Sequence, residues 1–308
     1  MLANFFGKSK PVNFIIIIVL FFTYYVLDFF LAKGLDINFS DLYQFLLISP
    51  LFLILFFFFN FVISKNRLTK DNSYAFLLFV IGLGFLESLV IEYLIVIEYI
   101  LLFLFLRRAY SLRALKSVYQ KLFDSGFWLG ILFLFSPFHL FYLLLLYAAV
   151  LLFVKVTIRT MLIPILGLLV PVFLCFTYLF WIDDLASFYQ LFNIVFELDL
   201  SFYFTNYYKL FLSLFIIFIL VSVVVRTGKI ISVSNKFKRS WLLLIGHFLI
   251  SILIVSFIES KNGSELIAFL IPSTIIIANW IQFIEKKVII DIVLAVFLIF
   301  SLAIHFIV

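Results

Sequence analysis

Three kinds of side chain in this sequence have the chemistry to carry a proton, ligate a metal or attack a bond: carboxylates inside apolar runs, three histidines and one cysteine. Glu98 stands out because it lies further from any polar loop than the other acids of its stretch. A charged group in hydrocarbon is expensive and marks a functional site by default. Glu98 is read as a proton carrier, as the counter-ion of a buried arginine, or as a hydrogen-bonded packing group facing other helices. Glu87 and Glu92 sit nearer a turn, and Asp28 lies near the end of the first apolar run. His139, His247 and His305 occupy separate runs with no short spacing, so no metal site is expected from them, since such a site gathers its ligands together. Cys175 lies in an apolar run and reads as core rather than nucleophile. As the lone cysteine it allows no internal disulfide. The 10 glycines are scattered, without the clustering of a phosphate-binding loop.

The elements that must position these groups follow from composition. Hydrophobic residues make up 67% of the 308 positions and charged residues 12%. A soluble domain carries about 25% charged residues, so this chain lacks the side chains to clothe a globule in water, and it is too apolar for disorder. The fold class expected is all-α, a polytopic transmembrane helical bundle. A hydrocarbon core of about 30 Å needs about 20 apolar residues per helix. Clear runs are Val12–Ala32, Leu42–Ile63, Met161–Trp181, Leu210–Val225, Trp241–Ile258, Ile267–Ile284 and Val288–Val308. Phe runs such as Phe56–Phe59 read as lipid-facing or packing surface.

Two stretches are longer. Ser73–Leu106 has 34 residues, and Phe123–Val154 has 32 with Ser136-Pro137 at its centre. The first would be about 51 Å long as one helix, and a central proline removes a helix hydrogen bond and turns its predecessor away from helix. Basic clusters bracket both: Lys65, Arg67 and Lys70, then Arg107 to Lys121, then Lys155 and Arg159. Cytoplasmic loops concentrate Lys and Arg, so each stretch is expected to cross twice as a hairpin of short helices, turning near Glu87–Glu92 and near Ser136–His139. The result is about 11 spans, with the N-terminus cytoplasmic and the C-terminus outside. It places 19 of the 22 Lys and Arg inside, leaving Lys33, Lys209 and Lys261 outside. Asp36, Asp41, Asp183, Asp184, Glu197, Asp199, Glu259 and Glu265 fall in or beside outer loops. The net charge of +6 is thus a basic inner face suited to anionic lipid, with no soluble module to present it to nucleic acid.

Between the spans, Ile182–Lys209 is aromatic and acidic, which suits a helix in the headgroup layer or a plug in an outer cavity. Arg107–Lys121 reads as a basic amphipathic interfacial helix whose Arg107, Arg108, Arg113 and Lys116 would contact lipid or a partner, and Arg226–Arg239 as a polar loop. The first apolar run is too long for a signal peptide and is expected to be retained.

With the spans placed, residues 1–182 resemble a known module. The order is span, acidic outer loop, span, short hairpin with acids at its turn, Arg107-Arg108, then SGFWLGILFLFSPFHLFYLLLLYAAVLLF and RTMLIPILGLLVPVFL. This is similar to the seven-span module of the C-type polytopic glycosyltransferases, which act on lipid-phosphate-linked sugars at the outer face. The resemblance implies Asp36 or Asp41 as general base, with Glu87 or Glu92 as a second acid, and Mg²⁺ or Mn²⁺ only in that case. The first outer loop, Lys33–Asp41, is shorter than in that family, and no large acceptor-binding domain is expected. The opening MLANFFGKSKPVNF and the RTMLIPILG segment also resemble an uncharacterised family of Bacteroidota inner-membrane proteins often mislabelled as carotene monooxygenases. The division implied is 1–182 as the seven-span module, 183–209 as the outer segment and 210–308 as a four-span module.

Three functional expectations follow, in this order. The first is a non-enzymatic inner-membrane subunit of an envelope assembly for secretion, motility or lipoprotein handling, needing no cofactor and having lipids and other membrane proteins as partners. The second is a reduced lipid-linked-sugar transferase. The third is a small transporter with Glu98 as its proton site.

Overall fold

The computed structural model describes residues 1–33, 38–86, 92–196, 198–230, 235–258 and 261–307. Every regular element among the described residues is helical. In chain order the helices are α1 (Leu2–Phe6), α2 (Pro11–Lys33), α3 (Phe39–Asn66), α4 (Tyr74–Leu83), α5 (Tyr93–Ser111), α6 (Val118–Phe135), α7 (Tyr142–Phe153), α8 (Ile158–Trp181), α9 (Leu185–Gln190), α10 (Asn206–Ile230), α11 (Asn235–Phe257), α12 (Leu266–Ile281) and α13 (Lys287–Ile307). Among the described residues, α2, α3, α8, α10 and α11 contain segments long and apolar enough to cross a membrane. This is a helical protein built for a bilayer.

Neither long apolar stretch forms a single helix. The first stops at Leu83 and resumes at Tyr93. The second ends at Phe135, where Ser136 is extended, and passes through a 3-10 turn, Pro137–Phe141, into α7. The proline sets that break, because it has no N–H to continue the helix. At about 1.5 Å per residue α4 covers only about 15 Å, half of a hydrocarbon core.

The helices pack as two compact units interleaved along the chain: Met1–Val96 with Leu200–Val233 and Lys261–Val308, and Ile97–Asp199 with Ser234–Ser260. In the first unit α4 is buried on all of its ten residues and α12 on all but Trp280. A helix that is apolar all round belongs inside a bundle. These two pack on each other, with α10 against α12 and α2 and α13 against α4. Phenylalanine supplies much of the fit. Phe21 meets Phe52 and Phe56 with ring centroids 4.6 and 4.7 Å apart, and Phe59 stacks on Phe79 at 4.1 Å. Each such pair adds about 0.5–1.5 kcal/mol. Phe57, by contrast, faces outward. At one end of this unit the carboxylate of Glu265, which precedes α12, accepts a 2.5 Å hydrogen bond from the buried Tyr203 hydroxyl. Burial first, then the charge and hydrogen bond of Glu265, hold the Tyr203 phenol well above the usual tyrosine value.

The second unit rests on the pairing of α6 with α8. Hydrophobic burial does not drive helices together in lipid, so close van der Waals fit must. A Cβ on Gly126 would lie 2.0 Å from the Pro164 carbonyl oxygen, and one on Gly167 would lie 2.3 Å from that of Phe123. The two backbones therefore touch along a strip that only glycine permits.

One loop expectation is corrected. The basic segment Arg107–Lys121 is not a helix of its own, because α5 runs on to Ser111 and a 3-10 turn, Leu112–Ala114, leads into α6. Among the described residues, the segment after α8 forms the short α9 and a 3-10 turn, Ser201–Phe204. Phe192 and Phe196 of this segment pack on Phe133, Phe138, Phe141 and Phe257. The aromatic residues thus close over the proline break of their own unit.

Candidate functional site

Glu98 finds its partner in the second unit, and the partner is a histidine. Its Oε1 lies 3.1 Å from His139 Nε2, with the glutamate side chain 18% exposed and the histidine 4%. The proline break creates this contact. The chain leaves helical geometry at Ser136, so its carbonyl accepts from the His139 backbone N–H at 3.2 Å and faces His139 Nδ1 at 3.1 Å. A carbonyl oxygen only accepts, so Nδ1 carries hydrogen. Nε2 faces the Glu98 carboxyl at 3.1 Å, an ion-pair distance when the imidazole carries a second proton. Two groups able to hold a proton thus stand side by side.

More polar groups continue from this pair. His139 and Tyr142 are three residues apart around the start of α7, with ring centroids 6.1 Å apart. The Tyr142 hydroxyl lies within electrostatic reach of Glu98 and of Tyr110. α11 packs on α7 and on the Pro137–Phe141 turn, and it inserts the fully buried His247 with its ring edge-on to Tyr142 at 5.7 Å. His247 Nδ1 is 2.9 Å from the Tyr110 hydroxyl on α5. The Tyr142 hydroxyl and His247 Nε2 are both buried and make no hydrogen bond among the described residues. Such groups cost about 1–3 kcal/mol each and call for an explanation.

The order Glu98, His139, Tyr142, His247, Tyr110 is a file of titratable groups in an apolar interior. Glu98 and Tyr110 are 12 positions apart on α5, about 18 Å along the axis. The file ends beside the basic segment. There Arg108 pairs with Asp124 at 2.9 Å, and Lys121 donates to the Ser111 carbonyl at 2.7 Å. Burial first, then Arg108 and Lys116, push the Lys121 ammonium below the ordinary lysine value.

The remaining sequence candidates are dispersed. Asp36 and Glu87 lie outside the described residues. Asp41 accepts from the Asn38 N–H at 3.1 Å and closes the N-terminal cap of α3. Glu92 is exposed ahead of α5. Arg107 and Arg113 are half-buried, and Lys116 is exposed. No group of three metal-ligating side chains converges among the described residues. Cys175 is half-buried on α8, and the His305 side chain lies outside the described residues. Sequence reasoning found Glu98 but missed His139, Tyr142, His247 and Tyr110 as its company. The available signal was the His139-x-x-Tyr142 pair directly after Ser136-Pro137, because a helix break next to titratable residues is how membrane sites expose polar backbone.

Compared with known proteins, the chain matches no family model, no curated protein and no solved structure.

Proposed function

We propose that this is a proton-coupled membrane transporter in which Glu98 and His139 exchange a proton and Tyr142, His247 and Tyr110 relay it along the second unit. The observation that carries this reading is the 3.1 Å Glu98–His139 contact with Nδ1 fixed on the Ser136 carbonyl. An ion pair kept only for packing does not need further titratable groups lined up behind it. A water between the Tyr142 hydroxyl and His247 Nε2 would satisfy both and complete the path. The host is a multi-pass protein of a bacterial inner membrane with about eleven spans. Contacts within the first unit support that topology. Lys8, Lys70 and Lys287, from three connectors read as inner, line one cavity, and Tyr203 meets Glu265 from two connectors read as outer.

The test is proton flux. Purified protein in vesicles loaded with a pH-sensitive dye is given a pH step with the membrane potential clamped. The wild type should dissipate the step at least tenfold faster than Glu98→Gln, whose amide can still donate to His139 Nε2 but cannot pass a proton. Equal rates for the two proteins, with both folded, would sink the proposal.

A second reading, a subunit of an envelope assembly, is favoured by α8. It holds to α6 by its small-residue strip and turns Leu162, Leu166, Phe173 and Leu174 outward. A stoichiometric membrane partner recovered in mild detergent, and lost on placing charge on that face, would support it. The transferase reading gains no such contact, because Asp41 serves as a helix cap.

A further inference from the structure

A second site, unrelated to the proton path, lies in the first unit. A half-open cavity of about 340 Å³ is formed where the N-terminal arm, the link from α3 to α4 and the link from α12 to α13 meet. Five charged residues line it: Lys8, Lys70 and Lys287, and Asp71 and Glu285. None of the five takes part in an ion pair among the described residues. Three cations and two anions, all exposed, thus surround one cavity, a lining complementary to a ligand bearing both signs.

The walls are built in advance. Gln282 Oε1 accepts from the Lys70 backbone N–H at 2.8 Å and from Asn72 Nδ2 at 3.0 Å. Gln282 Nε2 donates to Asn279 Oδ1 at 2.8 Å, and buried Asn279 donates to the Leu68 carbonyl at 2.8 Å. This amide ladder fixes the loop that carries Lys70 and Asp71 onto the end of α12. Tyr74, buried beneath, donates to the Ala3 carbonyl at 2.8 Å and ties down the N-terminal arm. The Lys70 ammonium is held 4.0 Å above the Phe283 ring, so its charge is positioned rather than trailing in solvent.

Location chooses the ligand. Ile284 and Ile290 share the lining, and α2 and α13 start at the cavity's edge. Lys10, Lys65 and Arg67 lie close by in sequence. Helix ends of this kind sit at the headgroup layer, where cations meet lipid phosphate. We infer that the cavity binds the headgroup of a phosphoethanolamine lipid, with the lysines on the phosphodiester and Asp71 and Glu285 on the primary amine. Phosphate is the chemistry shared with soluble anions, and the amine and the acyl chains separate this ligand from them.

The experiment is thermal melting of the full chain in a non-ionic detergent, with lipid or salt added. Phosphatidylethanolamine should raise the midpoint by several degrees, phosphatidylglycerol by less than half as much, and inorganic phosphate not at all. A Lys70→Gln, Lys287→Gln double variant should melt normally without lipid and lose most of the shift. Asp71→Asn with Glu285→Gln should remove the preference for phosphatidylethanolamine over phosphatidylglycerol. Equal shifts from inorganic phosphate would overturn the lipid assignment, and equal shifts from the two lipids would overturn the role of the amine. A lysine variant that keeps the full shift would overturn the site itself.

Discussion

Replacing Tyr142 with phenylalanine separates a relay from a structural network. Tyr142 is fully buried, and its hydroxyl meets no hydrogen-bond partner among the described residues. An unpaired buried hydroxyl costs about 1–3 kcal/mol, so deleting that one oxygen while keeping the ring should raise stability by up to that amount. If a water joins the hydroxyl to His247 Nε2, the gain shrinks towards zero, because the water bonds are lost as well. Stability is therefore expected to stay level or rise by up to about 3 kcal/mol, a shift of several degrees for a chain of this size. Proton flux should fall at least tenfold, because the file is cut between Glu98 and His247. His247→Phe should act alike on flux and oppositely on stability, because the Tyr110 hydroxyl then loses its 2.9 Å partner. Paired melting curves in detergent and dye-loaded vesicles read both quantities. A loss of more than about 1 kcal/mol in Tyr142→Phe would mean the hydroxyl is held structurally, and undiminished flux would remove it from the path. Either result defeats the relay.

Two other outcomes follow from packing and from linkage. Gly126→Ala puts a methyl 2.0 Å from the Pro164 carbonyl and should lower the melting point by the equivalent of about 1–3 kcal/mol of overpacking. Gly246→Ala on α11, which meets nothing within 4 Å, should be neutral or slightly stabilising, as alanine favours helix; equal effects at the two sites would refute the close α6–α8 contact. The folded state keeps the Tyr203 proton beyond the pH at which the unfolded chain releases it, near 10. Its contribution is therefore complete below about pH 10 and fades as pH rises further. A melting-point profile should drop more steeply above that pH in the wild type than in Tyr203→Phe, and parallel profiles would count against the buried contact with Glu265.

Period and charge were legible without coordinates because they are properties of local sequence. The apolar runs and the proline break at Ser136-Pro137 are set within a few residues of themselves and lie where the helices and the 3-10 turn form, whereas helices run on into the basic segments, α10 to Ile230 and α11 from Asn235. Glu98 stood out for the same reason, since it lies furthest from any loop among the acids of its apolar stretch. The run of residues from Arg107 to Lys121 misled because amphipathic spacing resembles a separate helix, whereas α5 continues through it to Ser111.

What a glutamate in hydrocarbon is for depends on its neighbours, and those arrive from elsewhere in the chain. His139 comes 41 positions after Glu98, and His247 lies 137 after Tyr110. No local period connects such distances. Folding alone brought these groups together, by breaking a helix so that the Ser136 carbonyl faces one imidazole nitrogen and leaves the other to the acid. The sequence determined that the chain is helical and apolar enough for a bilayer, with an acid inside one apolar run; packing decided that this acid meets a histidine.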